Sequence, residues 1–189
     1  MEDEKLLIKA KKGDSPSFGQ IYDKYAPRIY RYFFLKLGGK KGEAEDLTHE
    51  VFLSAWKSIE TFDIRGVPFS SYLYRVARNA VIDYWRTKRP TLDIDVLPEE
   101  LFSEDPDVGE KMDLDADMEM VKRRVASLDP VYQDVLIMKF VEDLSNREIA
   151  DALDKSEGAI RVIQHRALKQ LKKEIEKHES EFSKTTQEA

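Results

Sequence analysis

Apolar residues recur at spacings of three and four along most of this chain, the period of an amphipathic helix. Residues 4–12 predict a short helix that ends at Gly13. Asp14-Ser15-Pro16 then reads as a helix start, with a capping side chain and a proline in the first turn. From there Phe18, Ile21, Tyr22, Tyr25, Ile29, Tyr32 and Phe33 form one stripe that runs to Leu37, with a kink expected at Pro27. Gly38-Gly39 ends it. Residues 42–59 predict the next helix, with Ala44, Leu47, Val51, Ala55 and Ile59 facing a core. Its opposite side carries Asp46, His49, Glu50, Leu53 and Lys57, so Leu53 sits alone among acids and polar groups. Gly66 and Pro68 make residues 60–68 a loop.

Residues 69–89, FSSYLYRVARNAVIDYWRTKR, predict a helix with two unlike faces. Phe69, Leu73, Val76, Ala80 and Tyr84 form a core stripe. Tyr74, Arg75, Arg78, Ile82, Trp85 and Arg89 form the other face, which mixes rings and an aliphatic residue with cations and holds no acid. Cations meet phosphates and rings stack on exposed bases, so this face suits a polyanion whose bases are unstacked. The plain alternative is that Tyr74 and Trp85 pack on a neighbouring helix and the arginines are ordinary surface charge. Residues 1–89 read as one helical domain.

Residues 90–117 change character. Pro90, Pro98 and Pro106 interrupt any helix, and a dense run of acids is opposed only by Lys111. The segment reads as an acidic, flexible linker. Residues 118–175 read as a second helical domain. Met118 to Leu128 is expected to be helical, and Asp129-Pro130 starts a further helix over 131–141. Ser145 followed by Glu148 is a capping box for a short helix that buries Ile149, Ala150 and Leu153. Asp154-Lys155 turns the chain, and Ser156 caps a second helix with Ile160, Ile163, Ala167 and Leu171 inward. Capping, small residue, turn and spacing agree on a helix-turn-helix, the plain alternative being an αα-hairpin with no DNA role. The outward side of its second helix carries Gly158, Arg161, Val162, His165, Arg166, Lys169, Lys172 and Lys173, with Glu157 its only acid before Glu174. Arginine reads guanine edges, valine meets a thymine methyl group, and lysines suit phosphates. Residues 176–189 are polar and are expected to form a tail.

The fold class is therefore all-α, two small domains on a linker. Net charge is −6, so bulk charge does not announce a nucleic-acid binder, but the charge is segregated. The absence of cysteine excludes disulfides, thiolate zinc sites and a thiol nucleophile, and fits a reducing cytoplasm. No apolar run approaches the roughly 18 residues of a membrane span, and the amino terminus lacks the apolar core of a signal peptide. His49, His165 and His178 are scattered, and no phosphate loop or histidine-pair metal motif occurs. No enzyme, metal or cofactor is expected.

Two DNA-suited helices on an acidic tether resemble the bacterial RNA polymerase sigma factors of the extracytoplasmic-function, sigma-70-like family. The likeness covers almost the whole chain. FGQIYDKYAPRIYRYFF, AEDLTHEVFLSAWKSI and FSSYLYRVARNAVIDYWR resemble region two, and LDPVYQDVLIMKFVEDLSNREIADAL with SEGAIRVIQHRALKQL resembles region four. The family more often has Trp where Tyr72 stands. It usually has Gly where Asp154 stands, a turn position that welcomes φ > 0, which Asp tolerates less well. Its commonest recognition helix has Ser-Arg where this chain has Val162-Ile163.

The resemblance implies a promoter-specificity subunit that binds core RNA polymerase, directs it to minus-thirty-five and minus-ten elements, aids melting, and leaves after initiation. It implies that Asp46, His49, Glu50 and Leu53 form the polymerase-binding face. It assigns the minus-ten element and melting to Asp63, Tyr74, Arg75, Arg78, Asn79, Trp85, Arg86 and Arg89. It assigns the minus-thirty-five element to Ser156, Glu157, Gly158, Arg161, Val162, His165, Arg166 and Lys169. It further implies an acidic linker running through the polymerase cleft, an anti-sigma protein as partner, a monomer when free, and a cytoplasmic location. The alternative reading is a helix-turn-helix regulator that binds an operator without being a polymerase subunit. It leaves the face of residues 74–89 without a role.

Overall fold

The computed structural model describes residues 2–88 and 125–187, with side chains described as far as residue 176. The expectations for Arg89, for the linker over 90–117 and for a helix from Met118 to residue 124 lie outside the described residues. Every regular element among the described residues is helical.

Helix α1 is Glu2–Ala10, and Gly13 turns the chain with φ 88°. Helix α2, Ser15–Lys36, starts as the sequence predicts, with the Asp14 carboxylate accepting the Ser17 N–H and Pro16 in the first turn. It continues past Pro27, whose exposed position leaves the unpaired Asp23 carbonyl on the solvent side. Gly38 and Gly39 both take positive φ at its end, a conformation other residues adopt only with strain. Helix α3 is Lys41–Ser58, and α4 is Phe69–Lys88. The four helices enclose Ile21, Ile29, Tyr32, Phe33, Leu73 and Tyr74, all fully buried.

The core stripe of α4 is rotated from the one the spacing predicts. Phe69 and Leu73 are buried as expected, but the stripe continues through Tyr74, Ala77 and Val81, while Val76, Ala80 and Tyr84 are half-buried. Tyr74 is thus a correction: it does not project outward with the arginines but is 0% exposed. The physical reason is a second packing partner. α4 is covered on one side by α2 and α3 and on another by the second domain, so more than one face is apolar.

Among the described residues the second domain opens with Val125–Ala126 and the turn to Asp129, whose side chain caps helix α5, Pro130–Leu136. The chain then widens into a π-helical turn over Ile137–Val141, where the sequence predicts a regular helix. Helix α6 is Asn146–Leu153, opened by the predicted capping box: the Glu148 N–H donates to the Ser145 hydroxyl, and the Ser145 N–H donates to the Glu148 carboxylate. Asp154 turns the chain in the left-handed region at φ 53°, ψ 51°. Ser156 caps helix α7, Glu157–Gln187, by accepting the Ala159 N–H. The helix runs on through the residues whose polarity predicts a tail.

The two domains are not held by a tether alone. Buried residues of α1–α4 and of α5–α7, from Leu7 and Tyr32 to Ile149 and Ile160, join in one continuous apolar cluster. α6 packs along α4, and the π-helical turn sits against α2.

Candidate nucleic-acid and polymerase interface

Three predicted surfaces are on these helices, and the structure treats them differently. On α3 the sequence places Ala44, Leu47, Val51 and Ala55 inward, and all four are buried. That rotation leaves Asp46, His49, Glu50 and Leu53 exposed together. Leu53 is 58% exposed, the most exposed large apolar side chain of the described residues. The His49 ring lies parallel to Tyr22 at 6.4 Å, which helps fix the edge of this ridge. An apolar contact ringed by carboxylates suits a basic partner helix.

On α7, Ile160 and Ala167 are fully buried while Ile163 and Leu171 are half-buried. Ser156, Glu157, Gly158, Arg161, Val162, His165, Arg166 and Lys169 are all exposed, as the spacing predicts. Val162 is 50% exposed among these cations. Arg161 reaches back to Glu157 at 3.4 Å, an exposed pair that water and salt readily release. The face is therefore open to solvent, with an apolar side chain between long cationic ones, residue types that suit a DNA groove.

The third surface, on α4 and the loop before it, is divided. Asp63 is exposed and turns its loop by accepting the Arg65 N–H at 3.0 Å. Asn79 and Arg86 are exposed, and Arg86 pairs with Asp83 at 2.9 Å. Trp85 is half-buried and meets Tyr84 edge-on at 5.0 Å. Arg75 and Arg78 are engaged by the second domain, Tyr74 is buried, and Arg89 lies outside the described residues. Arg75 donates to the Asp151 carbonyl, and Arg78 Nε donates to Asp134 Oδ2 at 3.2 Å. Tyr74 meets Tyr32 edge-on at 5.7 Å. Burial, with the Glu142 carboxylate nearby, pushes its hydroxyl pKa well up, yet that hydroxyl makes no well-formed hydrogen bond.

The residues that hold the domains together are ones sequence reasoning missed. Asp134 is 3% exposed. Its Oδ1 accepts from Tyr32 at 3.0 Å and pairs with Lys36 at 2.8 Å, while its other oxygen takes Arg78. Glu142 is 1% exposed, and Arg31 grips it with two N–H groups at 2.7 and 3.0 Å. Arg28 Nε adds a third bond at 3.3 Å, and its Nη2 donates to the Glu142 carbonyl. The Glu142 pairing holds the Arg31 guanidinium even more firmly protonated than usual. Ser70 of α4 donates to Glu148 at 2.8 Å. Burial pushes the Glu148 carboxyl up, but hydrogen bonds from the Ser145 backbone, Ser70 and the Ser145 hydroxyl outweigh it and leave the pKa below its ordinary value. A signal existed: Lys36 continues the Tyr25, Ile29, Tyr32 stripe, and a cation on an apolar stripe calls for a buried acid.

No cluster of metal-ligating side chains occurs among the described residues, and none of their helices is long and apolar enough to cross a membrane.

Residues 21–91 match the family model described as Sigma-70 region 2, and residues 118–171 match Sigma-70, region 4. The ECF RNA polymerase sigma factor SigW of Bacillus subtilis is 32% identical over 185 residues, covering 90% of this chain and 95% of SigW. The ECF RNA polymerase sigma factor BldN of Streptomyces coelicolor is 35% identical over 171 residues, covering 88% of this chain but only 63% of BldN. Among solved structures, CnrH in complex with the cytosolic domain of CnrY shares 21% identity at a TM-score of 0.72, covering 93% of this chain and 98% of that one. At that identity the likeness concerns the fold.

Proposed function

The chain belongs to the ECF RNA polymerase sigma factors, non-catalytic subunits that direct promoter recognition and transcription initiation, and from that premise we propose how its faces divide the work. The Asp46, His49, Glu50 and Leu53 ridge docks on core polymerase. The outward face of α7 reads the minus-thirty-five duplex, with Arg161 and Arg166 toward base edges and Lys169 on phosphate. The loop around Asp63 and the face of α4 with Arg75, Arg78, Asn79, Trp85 and Arg86 take the melted minus-ten strand; Arg89 extends that face in sequence. Tyr74, Arg75 and Arg78 become available to it only once the second domain moves away.

The single observation that carries this reading is the state of α7. Every predicted reading residue on it is exposed while its apolar side is buried against α5 and α6. Net charge supports the division as well. A chain of net charge −6 repels duplex DNA at long range, so its local cationic faces need polymerase to supply affinity. The free protein is a cytoplasmic monomer, with an anti-sigma protein as a further partner.

The test is a pull-down with core polymerase followed by run-off transcription on a promoter library. Association with core and initiation at a shared pair of elements is the expected result. A chain that never associates with core, or that binds promoter duplex tightly by itself at physiological salt, overturns the assignment.

A further inference from the structure

We propose that Arg28, Arg31 and Lys36 of α2, together with Arg78 of α4, form a second binding site for the DNA sugar–phosphate backbone, which Asp134 and Glu142 of the second domain occupy as phosphate surrogates in the closed protein. The proposal rests on the reading of the chain as a sigma factor, and it adds a site on α2 that this reading does not contain.

The geometry is that of an occupied anion site. Four cations from two helices converge on two carboxylates, and both carboxylates are almost wholly buried. Arg31 meets Glu142 side-on with two N–H groups, the fork that matches a phosphate equally well. Arg28 and Arg31 lie three residues apart on one face of α2, and Lys36 follows on the same side through Tyr32, which shares Asp134 with it. Arg78 couples this patch to the face of α4 assigned to melted DNA, because it binds Asp134 from the other side. With the second domain moved away, the four cations lose all their described acidic partners and run on from the α4 face. A strand leaving that face would meet them next.

The closed contact is built to be reversible. Its two carboxylates and Lys36 are removed from water in the closed state and recover hydration when it opens, which offsets part of the attraction. Carboxylate and phosphate therefore compete for one set of cations, and by reciprocity DNA bound there favours the open form.

The absence of cysteine allows a clean test on the full chain. Gln20→Cys and Leu168→Cys carry a dye pair that reports the distance between the domains. Binding of a labelled single-stranded oligothymidine is followed by anisotropy. Asp134→Asn with Glu142→Gln is expected to lengthen the dye distance and tighten oligothymidine binding at least tenfold. Adding Arg28→Gln, Arg31→Gln and Arg78→Gln keeps the long distance and abolishes the gain. In the chain with its native cradle, saturating oligothymidine alone is expected to shift the dye pair to the long distance, a measurement that survives misfolding of the amide variant. The proposal is overturned by a variant that opens without tighter binding, by a gain that persists without the three arginines, by a folded amide variant that stays closed, or by native-cradle protein that binds DNA at unchanged distance. Run-off transcription is scored separately, so loss of this site leaves the sigma-factor reading standing, and failure to bind core polymerase removes both.

Discussion

Arg31 and Glu142 stand 111 residues apart in the chain, yet Arg31 meets the Glu142 carboxylate with two hydrogen bonds, at 2.7 and 3.0 Å. The Glu142 side chain is 0% exposed, and that of Arg31 is 45% exposed. The pair therefore fixes the second domain on the first from a position half open to solvent. Removing Arg31 would leave a buried carboxylate with Arg28 as its remaining described cationic partner. Arg31→Ala is expected to destabilise the closed protein by about 1–3 kcal/mol, less than for a fully buried pair because Arg31 is half exposed and Arg28 remains on the carboxylate. Arg31→Lys keeps the charge but loses the fork and should fall between the two. Urea denaturation of the three proteins measures this, and equal midpoints would show that the pair holds nothing.

Leu53→Asp and Asp46→Arg are expected to weaken core polymerase binding more than tenfold. Both positions are exposed, so denaturation midpoints should move by less than about 0.5 kcal/mol equivalent. Fluorescence titration against core polymerase reads the first effect and urea the second. A large stability loss in either variant would mean that the ridge is structural.

Arg161→Ala and Arg166→Ala should each lower transcription from a promoter with an intact minus-thirty-five element by roughly tenfold, in line with about 1–3 kcal/mol for a good base contact. Polymerase binding should be unchanged, since both side chains are exposed on α7 and far in sequence from the α3 ridge. The measurement is run-off transcription paired with the core titration. Loss of both activities together would reject the division of labour.

Asp154 holds φ 53° at the turn between α6 and α7. A side chain there meets the following carbonyl, and Asp relieves this only in part. Asp154→Gly is expected to stabilise the domain by up to about 1 kcal/mol without altering promoter choice. Thermal unfolding followed by circular dichroism gives the sign, and a lowered midpoint would refute it.

The Glu148 carboxyl sits below its ordinary value of 4.5, through its hydrogen bonds with Ser145 and Ser70. A depressed carboxyl favours the folded state above that value, and the contribution is lost as pH falls through the folded-state pKa. Acid should therefore weaken the protein below pH 4.5, and Glu148→Gln should flatten that part of the profile while keeping the helix cap. Comparing urea midpoints at neutral and acid pH tests it. Parallel profiles for the two proteins would locate the acid sensitivity elsewhere.

Much of this was legible before any coordinates. The Asp14 cap, the Ser145–Glu148 capping box and the Ser156 cap are local: each depends on residues three apart, and each forms as the spacing predicts. The outward faces of α3 and α7 also followed, because each helix has one apolar stripe and one partner side. The same logic failed on α4. That helix is packed from two directions, so a single stripe misplaces Tyr74, Ala77 and Val81.

The sequence by itself determined the helices, their caps and turns, and the exposed faces of α3 and α7, because these depend on neighbours within one or two helical turns. Only the tertiary structure decided that Asp134 and Glu142 find Arg28, Arg31, Lys36 and Arg78, and that Tyr74 lies beneath them. Such pairings join residues from 56 to 114 positions apart, and periodicity within one helix carries no information about which distant charge will meet it.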